Sequence, residues 1–319
     1  MTATPLPVVH AAALADSHQE VQWLVEDLWG EGAVGLCGGE PKSYKTFMAL
    51  DLAVAVASGR PCLGRFAVPR PGPVVLFAAE DAPPIVKRRL TGITTSRGVA
   101  LKDCDLHVIT AERLRLDADE DVDALDATIA MLKPRLLVLD PFVRLHRIDE
   151  NSSAEVAKVL DRLRVMQRRH GVAILVVHHA RKGGSSVRAG QALRGSSEFH
   201  AWLDSLLYLR RTGKDDVKLT VEHRAARSEP GGMSLSLVDD GKRLALEIQE
   251  SDEDEDSTAA APTTAQRVLG TLSTTTPMTT KVLRNLCGMR MSRLCETLAA
   301  LAAEGRVRHM EGGYVLADS

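Results

Sequence analysis

Aromatic residues are scarce in this chain of 319 residues, at 3% of the total. Proteins that hold single-stranded nucleic acid by base stacking line the binding surface with aromatic side chains, so this mode of binding is not expected here. The net charge of −2 gives no general sign of nucleic-acid binding either, and any basic surface must be local. Composition therefore narrows the possible functions without choosing one.

The chain also lacks the patterns of disulfide-rich, zinc-binding and membrane-spanning proteins. Its five cysteines are scattered, with no Cys-x-x-Cys pair, which fits a reduced compartment. No apolar run approaches the roughly 18 residues of a membrane span. The N-terminal segment has no basic start of the kind that signal peptides carry. We expect a soluble, cytoplasmic protein with no membrane partner.

What the chain does contain is a series of apolar strand-like segments that alternate with helical ones. The segments AVGLC, VVLFA, LLVL and AILVV are apolar throughout, as in parallel strands that are covered on both faces. From Trp202 to Gln249 four more segments resemble strands and are expected to extend the same sheet. The pattern predicts an α/β fold with a central, mostly parallel sheet.

Changes in composition divide the chain into four regions. Residues 1–20 resemble a loose arm, and residues 21–249 form the α/β domain. Residues 250–264 begin with an acidic run, ESDEDED, and read as a disordered linker. Residues 265–319 show three helical segments and two short strands around a Gly-Gly turn, which predicts a small winged helix-turn-helix domain.

The segment GGEPKSYKT, between the first apolar strand and an alanine-rich helix, nearly matches a phosphate-binding loop. Backbone N–H groups of such a loop face the phosphates of a nucleotide. Lys45 would reach the β- and γ-phosphates of ATP, and the Thr46 hydroxyl would bind Mg²⁺. The predicted nucleotide-binding residues are Gly39, Glu40, Pro41, Lys42, Ser43, Tyr44, Lys45 and Thr46.

Tyr44 stands where the motif usually has a second glycine. Glycine is required only where φ is positive or where a side chain would collide. We therefore expect the Tyr44 ring to point outward, away from the phosphates, with a negative φ. The alternative is an impaired site that binds nucleotide without hydrolysing it.

Two carboxylates end buried strands, and this places them beside the ligand crevice of a parallel sheet. Glu80 follows VVLFAA and could orient or deprotonate the attacking water. Asp140 ends RLLVLD, a Walker B pattern, and would bind Mg²⁺ directly or through water. A solvated loop carboxylate and an ordinary strand-ending aspartate are the alternatives.

His178 and His179 end the strand AILVVHH, where either could sense the γ-phosphate or hold the attacking water. A buried structural histidine is the alternative for each. The polar, glycine-rich segment that follows carries Arg181, Lys182, Arg188 and Arg194. Such a loop beside a nucleotide site is commonly functional.

Together the segments GEPKSYKTFMALDLAVAVASG, VVLFAAED, LLVLDPFVRLH, VVHHARKGG and LRGSS resemble the RepA-type branch of RecA-like ATPases, over about residues 20–230. That branch includes hexameric plasmid replicative helicases and ATPases of mobile elements. The resemblance implies a RecA-like P-loop NTPase core, assembly into a homo-oligomeric ring, and ATP with Mg²⁺ between neighbouring subunits.

The resemblance also assigns roles by position. It implies that Lys45 and Thr46 are the Walker A pair, Glu80 the catalytic carboxylate and Asp140 the Walker B aspartate. His179 would be the sensor at the strand end, and Arg194 the arginine that reaches the γ-phosphate. Arg224 and Arg227 match loosely a region that can supply a finger to the next subunit.

The C-terminal region carries a modest basic excess, with seven Lys or Arg against four acids in residues 265–319. In a helix-turn-helix, Arg290, Ser292 and Arg293 would face the major groove, and the wing would place Arg306 and Arg308 near phosphates. DNA binding and protein docking are both open for this module.

The leading hypothesis is a DNA-stimulated ring ATPase, a RepA-like helicase or helicase-like replication protein of a plasmid or mobile element. It would hold single-stranded DNA through core loops such as 181–194 and duplex DNA through the C-terminal module. One alternative is an ATP-gated DNA-binding regulator or initiator without unwinding activity. Another, suggested by Tyr44, is a nucleotide-binding scaffold with little catalysis.

Overall fold

The computed structural model describes residues 8–13, 22–179, 198–224, 232–249, 264–273, 277–287, 294, 297–298, 300–302, 305–310 and 313–317. The chain divides into two compact units, Met1–Gln249 and Glu250–Ser319. Each unit is described by itself below.

A nine-stranded sheet forms the centre of the first unit, with strand order β11-β10-β9-β8-β3-β7-β6-β4-β5. The strands are β3 (Val34–Gly39), β4 (Val74–Ala78), β5 (Leu106–Val108), β6 (Leu136–Asp140), β7 (Ala173–His179), β8 (Ser205–Arg211), β9 (Asp216–His223), β10 (Met233–Asp239) and β11 (Leu244–Ile248). Six neighbouring strands, from β8 to β5, pair in parallel, and β8 to β11 continue as antiparallel pairs. The predicted α/β fold with a mostly parallel sheet is confirmed.

Helices cover both faces of this sheet and explain why its central strands are apolar throughout. They are α1 (Lys45–Ser58), α2 (Pro83–Ser96), α3 (Asp119–Leu132), α4 (Ser153–His170) and α5 (Glu198–Trp202), with 3-10 turns at 11–13, 101–103 and 142–144. In β6, Leu136 and Val138 pack in the core that contains α1 and α2. Leu137 and Leu139 pack in the core that contains α3, α4 and α5. Side chains alternate between the faces of a strand, so both sets must be apolar.

The parallel strands bring the predicted site residues to one edge of the sheet. Strands β3, β4, β6 and β7 run in the same direction and end at Gly39, Ala78, Asp140 and His179. Loops that follow the carboxyl ends of parallel strands meet at the same edge. The phosphate-binding loop and the two carboxylate-bearing strand ends therefore share one crevice.

Three elements of the first unit differ from the sequence prediction. A short hairpin of β1 (Trp23–Val25) and β2 (Trp29–Gly30) precedes the sheet, where no strands were predicted. The predicted strand at Trp202 starts only at Ser205, because Trp202 is the last residue of α5. Of the predicted arm, residues 1–7 and 14–20 lie outside the described residues, and Ala11–Ala13 form a 3-10 turn.

The second unit contains helices α6 (Thr264–Thr271) and α7 (Thr280–Cys287) and a hairpin of β12 (Val307–Met310) and β13 (Gly313–Leu316). The described residues of the predicted third helix, 294, 297–298 and 300–302, are helical. A separate apolar core holds these elements together and includes Val268, Leu283, Leu298 and Val307. This arrangement is compatible with a small additional domain. The linker 250–263 and the predicted groove-facing residues Arg290, Ser292 and Arg293 lie outside the described residues.

Within the described part of the chain, no helix is both long and apolar enough to cross a membrane.

Candidate nucleotide-binding site

The loop between β3 and α1 is organised around the backbone carbonyl of Glu40. The Ser43 hydroxyl donates a hydrogen bond to this carbonyl at 2.8 Å, and the Lys45 ammonium donates another at 2.7 Å. The Lys45 side chain is buried, and burial lowers its pKa. The ammonium is thus held inside the loop with a weak partner that a phosphate oxygen can replace.

Gly39 is the position in this loop where only glycine fits. It lies between β7 and β8, opposite His179 and Leu209. A Cβ atom at Gly39 would come within 2.2 Å of the Leu209 carbonyl oxygen and 2.8 Å of the Ser43 hydroxyl. A larger residue at this position would therefore clash with β8 and with the loop itself.

The backbone of Tyr44 differs from the sequence prediction. Its φ is 61°, in the left-handed region, so the predicted negative φ was wrong. The last loop position requires this conformation for the chain to turn into α1, and here a tyrosine adopts it. The ring packs edge-on against Phe47 with centroids 6.2 Å apart, and its hydroxyl lies 3.3 Å from Oδ1 of Asp215. Both contacts lie outside the loop, which agrees with an outward-pointing ring.

Asp140 and Thr46 form the second part of the site. Asp140 is the buried last residue of β6, and the Thr46 hydroxyl donates a hydrogen bond to it. Burial raises the pKa of Asp140 to about 6; the Thr46 bond opposes this shift, whereas Asp81 and Glu80 add to it. A buried carboxylate beside other acids is a good position for a cation, which removes the cost of the negative charge.

Glu80 and Asp81 follow β4, and each is held by an arginine. Arg144 donates from Nε to Oε1 of Glu80 at 3.1 Å, and Arg89 pairs with Asp81. The Arg89 guanidinium also lies over the Phe47 ring, 5.2 Å from its centroid. Both arginines were missed from the sequence. Arg144 follows β6 and Glu80 follows β4, so no spacing along the chain indicated this pair.

The two histidines at the end of β7 have different surroundings. His178 is buried, stacks on Phe199 with centroids 4.5 Å apart, and meets the edge of Phe142 at 5.7 Å. It belongs to an aromatic cluster of the core. His179 lies opposite Gly39 in the strand register and is partly exposed. Of the two, His179 is the one placed at the loop edge, and its sensor role stays a prediction.

Of the remaining predicted arginines, Arg224 lies among the described residues. Arg194, the other basic residues of 181–194, and Arg227 lie outside the described residues. Arg224 follows β9, which runs antiparallel to β8, so it lies at the opposite edge of the sheet from the phosphate-binding loop. Its guanidinium donates to the Ala201 carbonyl and lies 3.6 Å from Asp204.

Residues 2–185 match the family AAA_25, which is an AAA domain, and this match covers more than half of the chain. The chain belongs to this AAA-domain family. Among solved structures, a RadB recombinase is 19% identical, with a TM-score of 0.50 over 69% of this chain and 92% of that one. The ATPase domain of a second protein is 14% identical, with a TM-score of 0.52 over 67% of this chain and 84% of that one. These similarities place the AAA domain in the RecA-like P-loop fold.

The AAA-domain family implies a nucleotide with Mg²⁺, and the residues fit that pair. Mg²⁺ prefers oxygen ligands and usually keeps several waters while it binds one or two carboxylates and the substrate phosphates. Asp140 and the Thr46 hydroxyl offer such oxygens. Among the described residues, no cluster of three or more His, Cys, Asp or Glu could hold a metal ion alone. The site therefore resembles one in which phosphate oxygens complete the coordination.

Proposed function

We propose that the protein is a Mg²⁺-dependent ATPase and a RecA-like motor, specifically a RepA-like DNA helicase or helicase-like replication protein of a plasmid or mobile element. One observation carries the hydrolytic part of this proposal. Lys45, Thr46, Asp140 and Glu80 come from three separate loops and strand ends and meet at one edge of the sheet. This set can bind phosphates, hold a cation and position a water molecule.

Each side chain has a distinct task in this proposal. The Lys45 ammonium leaves the Glu40 carbonyl and neutralises charge on the phosphates. Asp140 and Thr46 would hold Mg²⁺, whose charge would polarise the phosphates. Glu80 is exposed enough to reach solvent, and its carboxylate orients or deprotonates the attacking water. His179 senses the γ-phosphate, and Arg194 reaches it from the segment that follows β7.

The DNA-binding and assembly parts of the proposal rest on the sequence motifs. Ring assembly would place ATP between neighbouring subunits, and single-stranded DNA would contact the basic loops 181–194. The C-terminal unit would bind duplex DNA as a winged helix. Arg306, Arg308 and His309 are exposed on or beside β12, where a wing would approach phosphates.

Phosphate release with and without single-stranded DNA tests the proposal directly. We expect Lys45→Ala and Glu80→Gln each to lower the rate by roughly 10²-fold or more, because each removes a group that acts in the transition state. Lys102→Ala, an exposed lysine outside the site, is the matched control. Hydrolysis that is robust but indifferent to DNA would remove the helicase part, and equal background rates in all proteins would favour a nucleotide-binding scaffold. The molecular mass in ATP tests ring assembly.

The second candidate function is an ATP-gated DNA-binding regulator or initiator. It is favoured by the C-terminal unit, whose own apolar core supports exposed basic residues. This function predicts sequence-specific duplex binding and no unwinding. A series of gel shifts with the full chain tests it, and the absence of any duplex preference would eliminate it.

A further inference from the structure

A cavity of about 500 Å³ lies between α2 and the turn that joins β10 to β11. One wall is a stripe along α2, and the other is the turn itself. The lining residues are Pro84, Lys87, Arg88, Thr91 and Gly92 from the helix and Asp239, Gly241, Lys242, Arg243 and Leu244 from the turn. Neither the phosphate-binding loop nor the two catalytic carboxylates contribute to it.

The two walls are held at a fixed distance by close packing. A Cβ atom at Gly92 would lie 2.5 Å from Cβ of Leu244 and 2.9 Å from its backbone nitrogen, so only glycine allows this approach. Beside this contact, Glu247 connects the elements: Oε1 lies 3.3 Å from the Ser96 hydroxyl and 3.4 Å from Arg243. The cavity is therefore a consequence of the fold.

The lining has more cationic than acidic side chains. It contains four cationic side chains and one carboxylate, Asp239, which lies 3.9 Å from Arg88. Arg243 is paired with two carboxylates beside the cavity, Asp240 at 2.8 Å and Glu247 at 3.4 Å. Lys87 lies on the helix wall and Lys242 on the turn wall. Both are exposed, and within the described parts of the chain no ion pair engages either of them.

The cavity lies at the same edge of the sheet as the nucleotide site. Strand β8 runs parallel to β3, and β9 and β10 each reverse direction, so β10 ends at Asp239 on the edge where β3 ends at Gly39. Helix α2 begins just after Asp81, beside the same edge. A ligand in the cavity would lie on the side of the molecule where ATP is expected to bind.

The lining chemistry selects the class of ligand. None of the described residues that line the cavity is aromatic, so these residues offer no surface for base stacking. Ammonium and guanidinium groups on two walls, with the Thr91 hydroxyl between them, suit the oxygens of phosphate groups. Because the cationic side chains are exposed at an open cleft, a polymer can pass across them.

We propose that this cavity binds the phosphodiester backbone of a nucleic-acid strand through Lys87 and Lys242. The choice of a nucleic acid rests on the proposed DNA-directed function, whereas the binding itself does not require ATP hydrolysis. The site would be a second contact, separate from loops 181–194, and would not depend on base sequence.

Binding of a fluorescent oligothymidine to the full chain, without nucleotide and over a series of salt concentrations, tests this site. We expect Lys87→Glu/Lys242→Glu to lower the affinity at least about tenfold more than the control pair does. In a plot of the logarithm of affinity against the logarithm of salt concentration, the slope should become less steep by about 1.4. Each lost phosphate contact on a single strand contributes about 0.7 to this slope. The control, Lys102→Glu/Lys158→Glu, makes the same change in charge at exposed positions outside the cavity. If the Lys87→Glu/Lys242→Glu variant misfolds, Lys87→Gln/Lys242→Gln replaces it. This neutral pair should also lower the affinity for oligothymidine, by a smaller factor.

Three results would overturn the assignment. Equal losses in the cavity and control pairs would mean that the lysines act only through overall charge. If Lys87→Glu/Lys242→Glu, made in a Lys45→Ala background, removes the remaining binding of a fluorescent ATP analogue and leaves oligothymidine binding intact, the cavity is a second nucleotide site instead. A change confined to sedimentation would identify a surface for self-association. Absence of ATP hydrolysis in the wild type would refute the proposed function but leave this binding measurement valid.

Discussion

Tyr44 holds a left-handed backbone conformation, with φ at 61°, at the last position before Lys45. This conformation costs an L-residue about 1 to 2 kcal/mol. We therefore predict that Tyr44→Gly is more stable than Tyr44→Ala by about 1 kcal/mol. Both changes remove the ring, but only glycine relieves the backbone. Urea unfolding of the two variants measures the difference.

Ala130 on α3 supplies the matched control for this prediction, because it is exposed within a regular helix. There the change to glycine should lower stability by about 0.5 to 1 kcal/mol, the reverse of the effect at Tyr44. An alanine at position 44 that equals or exceeds glycine in stability would contradict the left-handed conformation. Tyr44→Phe removes only the contact with Asp215 and should leave nucleotide affinity unchanged.

We expect Asp140 to make nucleotide binding sensitive to pH. Its pKa is raised to about 6, so the carboxyl group is protonated below this value and ionised above it. The charged groups that face it are Asp81, Glu80 and Lys45. Only the ionised form binds Mg²⁺. We predict that the Mg²⁺-dependent part of ADP affinity rises as the pH increases from about 5 to about 7. The terminal phosphate of ADP also titrates, with a pKa of about 6, so the test compares the pH dependence of the wild type with that of a variant that lacks the carboxyl group.

Asp140→Asn is the control for this titration. The amide cannot ionise, so the Mg²⁺-dependent gain in affinity should be small, and any pH dependence that remains reports the phosphate of ADP. A wild-type profile with the same pH dependence as that of Asp140→Asn would show that Asp140 is not the group that holds the cation. Calorimetry with and without Mg²⁺ separates the two contributions.

Sequence reasoning located these residues because strand ends follow simple rules. An apolar run that stops at a carboxylate places Asp140 and Glu80 at the edge of the sheet, whatever the details of the loops. The sign of φ at Tyr44 depends on how the loop enters α1, and residue type alone argues against the conformation that is observed. The pair of Arg144 with Glu80 joins residues from two separate loops, so spacing along the chain could not predict it.

At the scale of elements, a buried ion pair connects α1 and α2 to β11. Arg97, just after α2, donates to Asp51 of α1 at 2.5 Å and to the Leu246 carbonyl at 2.7 Å. The Arg97 and Asp51 side chains are 6% and 1% exposed. Removal of one partner leaves the other charge buried, so we predict that Arg97→Ala lowers the free energy of unfolding by about 3 to 5 kcal/mol. Thermal and urea unfolding measure this loss.

Two comparisons identify the cause of that loss. Arg169→Ala breaks an exposed pair with Asp126 and should cost less than about 1 kcal/mol. Asp51→Leu/Arg97→Met, which removes both charges, should be more stable than Arg97→Ala. If the double variant is equally unstable, the unpaired charge does not explain the effect, and lost packing or the loss of the 2.8 Å hydrogen bond from the Leu63 backbone N–H to Asp51 does.

The elements that the sequence predicted are the ones with a strong local pattern. Strands β3, β4, β6 and β7 are continuous apolar runs, and α1 is buried along almost its whole length. The hairpin of β1 and β2 has strands of three and two residues, too short for any period to show. Helix α5 has only five residues, and its Trp202 reads equally well as part of the strand that follows.

For the whole molecule, the apolar cores coincide with the two units. Both core clusters of the first unit use residues no later than Ile248, and the core of the second begins at Val268. The composition of the acidic run 250–256 indicated this division, because it contains no side chain suited to a core. The sequence pattern did not show which molecule each unit binds, because binding surfaces combine residues that are distant along the chain.

Since neither core draws on the other, we predict that a chain ending at Gln249 folds and keeps its affinity for Mg²⁺-nucleotide, within about threefold of the full chain. Its midpoint of thermal unfolding should match the transition of the full chain that shifts when nucleotide is added, because ligand stabilises only the unit that binds it. The same truncation should abolish any binding of duplex DNA that depends on the C-terminal unit, while oligothymidine still binds to the core.

If the truncated chain aggregates or loses nucleotide affinity, the two units do not fold independently. If it retains all duplex binding, the C-terminal unit has another role, and a protein partner becomes the better hypothesis for its exposed basic hairpin.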